Sequence, residues 1–296
     1  MEIEKYAAID IGSNAIRLLI SNVIEDEGYP TTFKKSSLVR VPIRLGADTF
    51  TEGIISEENK KRMIDAMNAF SLLMNVHGVV KYKACATSAM REASNGEEVA
   101  QEILDKTNVK IDLIDGKEEA AIIFSTDLTD YIDNDKSYLY VDVGGGSTEF
   151  TIFSEGKIVN SKSFKIGTVR LLSPDQKLKP IWKEMEKWIK KNTKDLEKMS
   201  VIGSGGNINK IHKMSGRTPG KPLSYIYMNA QYHFLKELSY SERISELGLN
   251  PDRADVIIPA IKIYLSAMKW GNARKIFVPK IGLSDGIIKG LHSKTL

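Results

Sequence analysis

The sequence predicts an α/β protein made of two copies of one domain, and three observations carry that reading. The first is the run Tyr138 to Val143, β-branched and aromatic, which ends in Gly144-Gly145-Gly146. Ser147, Thr148 and a second apolar strand through Phe150, Ile152 and Phe153 follow it. The second is Tyr6-Ala7-Ala8-Ile9-Asp10-Ile11-Gly12-Ser13-Asn14, the same order of strand, Asp, β-branched residue, Gly and Ser, which continues as a strand from Ala15 through Arg17 to Val23. The third is the strand–loop–helix around Gly203-Ser204-Gly205-Gly206-Asn207, which stands in the second half where Cys85-Ala86-Thr87-Ser88 stands in the first. Consecutive glycines let the backbone turn sharply and bring its N–H groups against a ligand. Asp142 at the lip of that turn and Glu149 just beyond it make sense if a metal cation lies between them and a phosphate. A glycine-rich hairpin without a ligand is the alternative for one copy, and the repetition argues against it. Two such loops facing each other across a cleft would hold a phosphate chain and its Mg²⁺ from both sides.

The chain of 296 residues suits two domains of ordinary size, each able to bury its own core. Residues 1–128 are expected to form the first and 129–296 the second, with the last helix able to pack back on the first. The formal net charge of +4 comes with no dense Lys/Arg tract, which argues against a nucleic-acid partner. Lys183, Lys187, Lys190, Lys191 and Lys194 share one predicted helix with Glu184, Glu186 and Asp195, the pattern of a solvated face. The one cysteine, Cys85, sits in an apolar stretch and reads as a buried structural residue. The N-terminus enters a strand at once and is no secretory signal, and no apolar run reaches membrane-spanning length. A cytoplasmic protein with no membrane partner is the expectation.

In chain order, Thr31 to Val41 reads as a third strand and Gly46 to Gly53 as a loop. Ser56 caps a helix to about Val76, with Met63, Met67, Phe70 and Met74 on one face as core. A strand to Ala86, the loop Thr87 to Ala93, a helix from Asn95 to Lys106 and a strand Ile111 to Ile114 lead to Asp115-Gly116-Lys117-Glu118-Glu119, which opens another helix. Glutamates in a first turn are often plain complements of the helix dipole. In the second half, strand Lys157 to Lys165 ends at Gly167-Thr168, and a helix spans Ile181 to Met199. The loop at Gly205 opens a helix, the arrangement that binds phosphate through backbone donors and dipole together. Asn250 to Asp255 starts a buried helix to Met268, and a strand Lys275 to Val278, a loop through Gly282 to Gly286 and a short helix complete the chain.

Taken in order, Asp10 to Asn14, Ala86 to Ala93, Glu118-Glu119-Ala120 and Asp142 to Glu149 resemble the exopolyphosphatase / guanosine pentaphosphate phosphohydrolase (Ppx/GppA) family. The likeness covers essentially the whole chain and implies two duplicated actin-like (ribonuclease-H-like) ATPase domains flanking a central cleft. It implies a hydrolase for terminal phosphates of inorganic polyphosphate or guanosine pentaphosphate, working with Mg²⁺ and assembled as a homodimer. By the same resemblance, Asp10, Asp142 and Glu149 would arrange the metal, and Gly12, Ser13, Asn14, Gly144, Gly145, Gly146 and Ser147 would cradle the terminal phosphate. Gly205 and Arg253 would add substrate contacts, Arg91 would hold phosphate oxygens, and Glu119 would take a proton from the attacking water. Glu118 is interchangeable with Glu119 at this stage. Arg91 has Glu92 or a helix end as alternative partners, and Arg253 has Asp252 or Asp255. Two departures stand out: Ala15 replaces a small hydroxyl residue of many relatives, and longer relatives continue into helical domains beyond the point where this sequence stops. The second leads to an expected preference for short polyphosphates. A small-molecule kinase of the same superfamily and a non-catalytic polyphosphate or alarmone sensor are the rival readings; intact Glu119, Asp142 and Glu149 speak against the sensor.

Overall fold

Strands β1 (Glu2–Ile11) and β2 (Ile16–Glu25) form an antiparallel hairpin in which Asp10 faces Arg17 and Ile11 faces Ile16. Tyr6 to Ile11 are buried without alternation, which explains why the strand reads as an unbroken apolar run. The edge strand β3 (Thr32–Val41) pairs antiparallel with β2 and carries exposed Lys34 and Lys35, charges that discourage further strand pairing. The computed structural model describes residues 1–124, 126, 136–173, 178–197 and 199–296.

Helix α1 (Leu45–Glu52) replaces the loop expected from Gly46 to Gly53; Leu45, Thr49 and Phe50 turn inward, and Gly53 ends it in the left-handed region at φ 78°. In α2 (Glu57–His77) Ser56 accepts the N–H of Asn59 at 3.3 Å, and Met63, Met67, Phe70 and Met74 are buried. Strand β4 (Lys81–Ala86) runs parallel to β1 and sets Cys85 beside Asp10. The short helix α3 (Ser88–Glu92) occupies the predicted Thr87–Ala93 loop, and α4 (Gly96–Thr107), β5 (Ile111–Leu113) and α5 (Gly116–Phe124) follow. The sheet order is β3-β2-β1-β4-β5.

The second sheet starts with β6 (Tyr138–Val143), β7 (Thr148–Ser154) and β8 (Lys157–Phe164), a meander with Asp142 facing Glu149. Helix α6 (Lys179–Thr193) is shorter than predicted. Strand β9 (Ser200–Ser204) lies parallel to β6, and α7 (Gly206–Met214), β10 (Leu223–Ser224), α8 (Tyr225–Glu237) and α9 (Tyr240–Ser245) come next. The single helix predicted to Met268 is two, α10 (Pro251–Ala254) and the fully apolar-faced α11 (Ile257–Trp270), with Asp255 and Val256 at the break. Strand β11 (Lys275–Phe277) joins β9, and the sheet order is β10-β11-β9-β6-β7-β8.

Read from the meander inward, the two sheets have one topology. β3-β2-β1-β4-β5 corresponds to β8-β7-β6-β9-β11, with the same parallel and antiparallel pairings. Even the irregularities coincide: the middle strand slips register at Ile20/Ser21 in one and at Ile152/Phe153 in the other. The duplication seen in the hairpins therefore extends through each sheet.

Contacts divide the chain into one unit of Met1–Thr126 with Ile281–Leu296 and a second of Asp127–Lys280. Helix α12 (Leu283–Ser293), which absorbs the predicted Gly282–Gly286 loop, belongs to the first unit and packs on α5 and β1. Gly286 lies so close to α5 that a Cβ there would stand 2.1 Å from the Ile122 carbonyl oxygen. Lys35 and Asp285 at 2.8 Å, and Glu25 and His292 at 2.6 Å, pin the same helix to β3 and β2. Among the described residues no helix is long and apolar enough to cross a membrane.

Candidate active site

Both glycine turns close with the same hydrogen bond. Gly12 N–H donates to the Ala15 carbonyl at 3.1 Å, and Gly144 N–H donates to the Ser147 carbonyl at 3.0 Å. The segment after each third strand then folds beneath the turn. Ile43 N–H returns to Val41 O at 3.1 Å, and Ile166 N–H to Phe164 O at 2.7 Å, so the chain reverses identically. Gly46 N–H thereby meets Ser13 O at 2.8 Å, and Val169 N–H meets Gly145 O at 2.9 Å.

In the second unit this undercarriage is complete. Thr168 N–H donates to Gly144 O at 3.0 Å, Arg170 N–H to Gly145 O at 3.1 Å, and Arg170 Nε to Gly146 O at 2.8 Å. In a trans peptide the C=O and the next N–H point in opposite directions. Tying back three successive carbonyls therefore turns the N–H groups of Gly145, Gly146 and Ser147 the other way, and among the described residues none of them donates to a backbone carbonyl. The result is a preset nest of donors for an anion. Gly167 is required for it: a Cβ there would stand 2.4 Å from Gly145 O.

The carboxylates differ between the turns. Asp10 is buried and ion-paired to Arg17 at 2.8 Å. Asp142 faces Glu149, which is buried and accepts the hydroxyls of Ser147 at 2.6 Å and Ser163 at 2.9 Å. Like charges facing across a strand pair ordinarily destabilise it, whereas a hard cation between them reverses the sign. Burial, and next the charge of Asp142, push the phenols of Tyr140 and Tyr264 well above their usual range, so both stay neutral. Tyr264 donates to the Ser204 carbonyl. Among the described residues no group of three or more His, Cys, Asp or Glu side chains gathers to hold a metal. Two facing carboxylates suit Mg²⁺, which keeps part of its water shell. Asp10, expected alongside them, is held by Arg17 in its own unit.

The helix start at α5 separates the two glutamates. Asp115 Oδ1 accepts Lys117 N–H at 2.7 Å and Glu118 N–H at 2.8 Å, while Glu118 Oε2 accepts Asp115 N–H at 2.8 Å. This is a capping box, and it lowers the Asp115 pKa through the N–H of Glu118 first and of Lys117 second. Glu118 is thus a structural residue, whereas Glu119 points elsewhere and has its Oε2 shielded from solvent. Arg91 donates to the Ile114 carbonyl at the same turn, not to Glu92. Ser13 Oγ lies 3.0 Å from Ser88 Oγ, linking the first glycine turn to the start of α3.

Gly205 takes φ 119° to launch α7, and a Cβ there would stand 3.1 Å from the Val143 carbonyl oxygen and 3.6 Å from Asp142 Oδ1. It sets the N-terminus of α7 beside Asp142, in the same unit as the nest. Arg253 closes α10, near enough to Lys210 to help lower that ammonium's pKa, after burial and Lys213. The residues missed at the level of sequence are Asp115, Gly167, Arg170 and Arg17. Asp115-x-x-Glu118 is a legible capping signature, while Arg170 depends on a tertiary return that the local pattern does not announce.

The Ppx/GppA phosphatase family model matches residues 31–295. The chain belongs to that family. This Ppx/GppA chain is 29% identical to a bifunctional 3-dehydroquinate synthase/phosphatase of Fusobacterium nucleatum, over 99% of its length and 48% of that protein's, so it spans about half of that relative. It is 22% identical to exopolyphosphatase 1 of Mycobacterium tuberculosis, over 96% of this chain and 87% of that one. Its structure is similar to that of an exopolyphosphatase from Cytophaga hutchinsonii, with a TM-score of 0.83, 25% identity and 98% of both chains covered. That structural similarity runs through both units of this chain.

Proposed function

We propose that this Ppx/GppA chain is a phosphoric anhydride hydrolase that releases the terminal phosphate of inorganic polyphosphate or guanosine pentaphosphate. The observation that carries the reading is the preset nest at Gly145, Gly146 and Ser147, built beside the facing pair Asp142 and Glu149. The names of the mycobacterial and Cytophaga relatives support the substrate class.

In this reading the nest N–H groups hold the oxygens of the terminal phosphate and stabilise the charge that builds on them. Asp142 and Glu149 would hold Mg²⁺, which supplies neutralisation of the phosphate oxygens when bound. Glu119 takes a proton from water as its oxygen attacks the terminal phosphorus; the anhydride P–O bond breaks, and the departing phosphate keeps the electron pair. Arg91, tethered at Ile114, offers its remaining N–H groups to phosphate oxygens. Asp10 and Arg17 orient the first glycine turn.

Phosphate release from polyphosphate, guanosine pentaphosphate and ATP, measured side by side with and without Mg²⁺, tests this. Mg²⁺-dependent release from either of the first two is the expected result. ATP consumption that requires a second acceptor substrate would replace the reading with a kinase.

A further inference from the structure

The central parallel ladders of the two units end differently. In the first unit β1 and β4 stay paired as far as Ile11 opposite Ala86, and the next N–H, of Thr87, donates to the Ile11 carbonyl at 3.1 Å. In the second unit β6 and β9 stay paired only as far as Asp142 opposite Ser204, one pair short. Gly206 matches Thr87 in this register, and among the described residues its N–H donates to no backbone carbonyl. The strands therefore part at Val143 and Gly205, where a parallel ladder would otherwise run on.

The side chain at that parting is Tyr264 of α11. It is fully buried, and its hydroxyl donates to the Ser204 carbonyl. The backbone of Val143 bonds to the same hydroxyl, so one oxygen grips the last residues of both strands. A Cβ on Gly205 would stand 3.4 Å from that oxygen and 3.6 Å from Asp142 Oδ1. Core packing alone would be served by phenylalanine, which has no buried hydroxyl to satisfy. The Val143 carbonyl shares a peptide with the Gly144 N–H, which closes the glycine turn on the Ser147 carbonyl. The two groups of a trans peptide point in opposite directions, so whatever holds the Val143 side of the seam also sets the tilt of the turn. Thr87 does this in the first unit by a direct bond.

We infer that Tyr264 is a positioning residue of the phosphohydrolase. Its hydroxyl stands in for the missing ladder bond, holds β6 and β9 apart one residue early, and sets how the three-glycine turn and Asp142 stand against the start of α7. The effect on rate rests on the functional reading above; the effect on the seam does not. Tyr140 is the internal comparison, because its hydroxyl is also buried but bonds to the Ser204 side chain and not to the backbone of the seam.

Amide hydrogen exchange and steady-state kinetics test this together. In the wild type the Gly206 amide should exchange at least about tenfold faster than that of Thr87, since it lies outside the ladder. Tyr264→Phe keeps the ring and should let the seam zip, slowing exchange at Gly206 by about tenfold. With tripolyphosphate its kcat should fall about tenfold while KM stays within about twofold, the signature of a misplaced transition-state contact. Tyr140→Phe should leave Gly206 exchange and both kinetic constants within about twofold. A Gly206 amide already protected in the wild type, or unmoved by Tyr264→Phe, would overturn the inference. So would equal kinetic losses in the two variants, which is what general loosening of the core produces. A wild type that hydrolyses no phosphoanhydride would remove the functional reading, and exchange at Gly206 would still decide the role of Tyr264 at the seam.

Discussion

At the same place in the two sheets, the residue facing the strand-end aspartate is Arg17 in one unit and Glu149 in the other. The frames around them are the same, down to the turn hydrogen bonds and the strand slip. The electrostatics are opposite. The first unit balances its own charge with an ion pair between a buried carboxylate and a partly exposed guanidinium. The second sets two carboxylates face to face and supports Glu149 with two serine hydroxyls. Ala15 fits this contrast. It stands where the second unit has Ser147, and with arginine in place of Glu149 a hydroxyl there has no carboxylate to meet. One scaffold has thus been given two tasks, and the differences sit on a few side chains facing the turn.

The largest effect should come from Glu119. Glu119→Gln should lower kcat by about 10²–10⁴-fold. Glu118→Gln should leave turnover near normal and, because its amide oxygen still accepts the Asp115 N–H, should change stability by less than about 0.5 kcal/mol in denaturant titrations. A reversed pattern would move the base to Glu118.

The clamp comes next. Ser163 donates its hydroxyl to Glu149, so Ser163→Ala should raise the Mg²⁺ concentration for half-maximal activity by roughly 10–100-fold. Arg17→Gln, at the corresponding pair of the first unit, should leave the Mg²⁺ requirement unchanged. Equal shifts in both variants would dissolve the contrast between the two units.

Arg170 has no counterpart under the first turn, where Ala47 occupies the matching position after Gly46. Arg170→Gln should therefore lower kcat about tenfold, consistent with losing one charge-assisted hydrogen bond. Recovery of part of that rate by added guanidinium would identify the lost contact; an unchanged rate would mean that backbone donors alone hold the nest. The smallest effect is expected at Gly205, which matches Ala86 of the first unit in sheet register. With φ 119° and the Val143 carbonyl close by, Gly205→Ala should cost about 1–3 kcal/mol of stability by urea unfolding. A neutral result would show that the loop relaxes freely.

The sequence carried the hairpins because Asp, Gly and Ser at a strand end form a local signal, needing no partner to be recognised. The same locality explains the errors. Helix α1 is short and bounded by glycines, so it reads as a loop until Leu45, Thr49 and Phe50 find a core. The break between α10 and α11 lies inside a stretch with helical periodicity throughout. At Glu118-Glu119 the two residues are chemically identical, and only the hydrogen bonds of Asp115 tell them apart. Arg17 and Arg170 needed register and tertiary return, respectively, before their partners came into view.

The return of Ile281–Leu296 to the first unit has a consequence for how this polypeptide is born. A ribosome releases Met1–Thr126 before Asp127–Lys280, yet the helix that covers α5 and β1 emerges only after both. The second unit is continuous in sequence and can close while the first still lacks a piece of its core. The usual rule that N-terminal domains finish first is then inverted. Until Gly286 reaches the Ile122 carbonyl, the first unit waits with an apolar flank open, a period in which a chaperone or an aggregating neighbour competes for it.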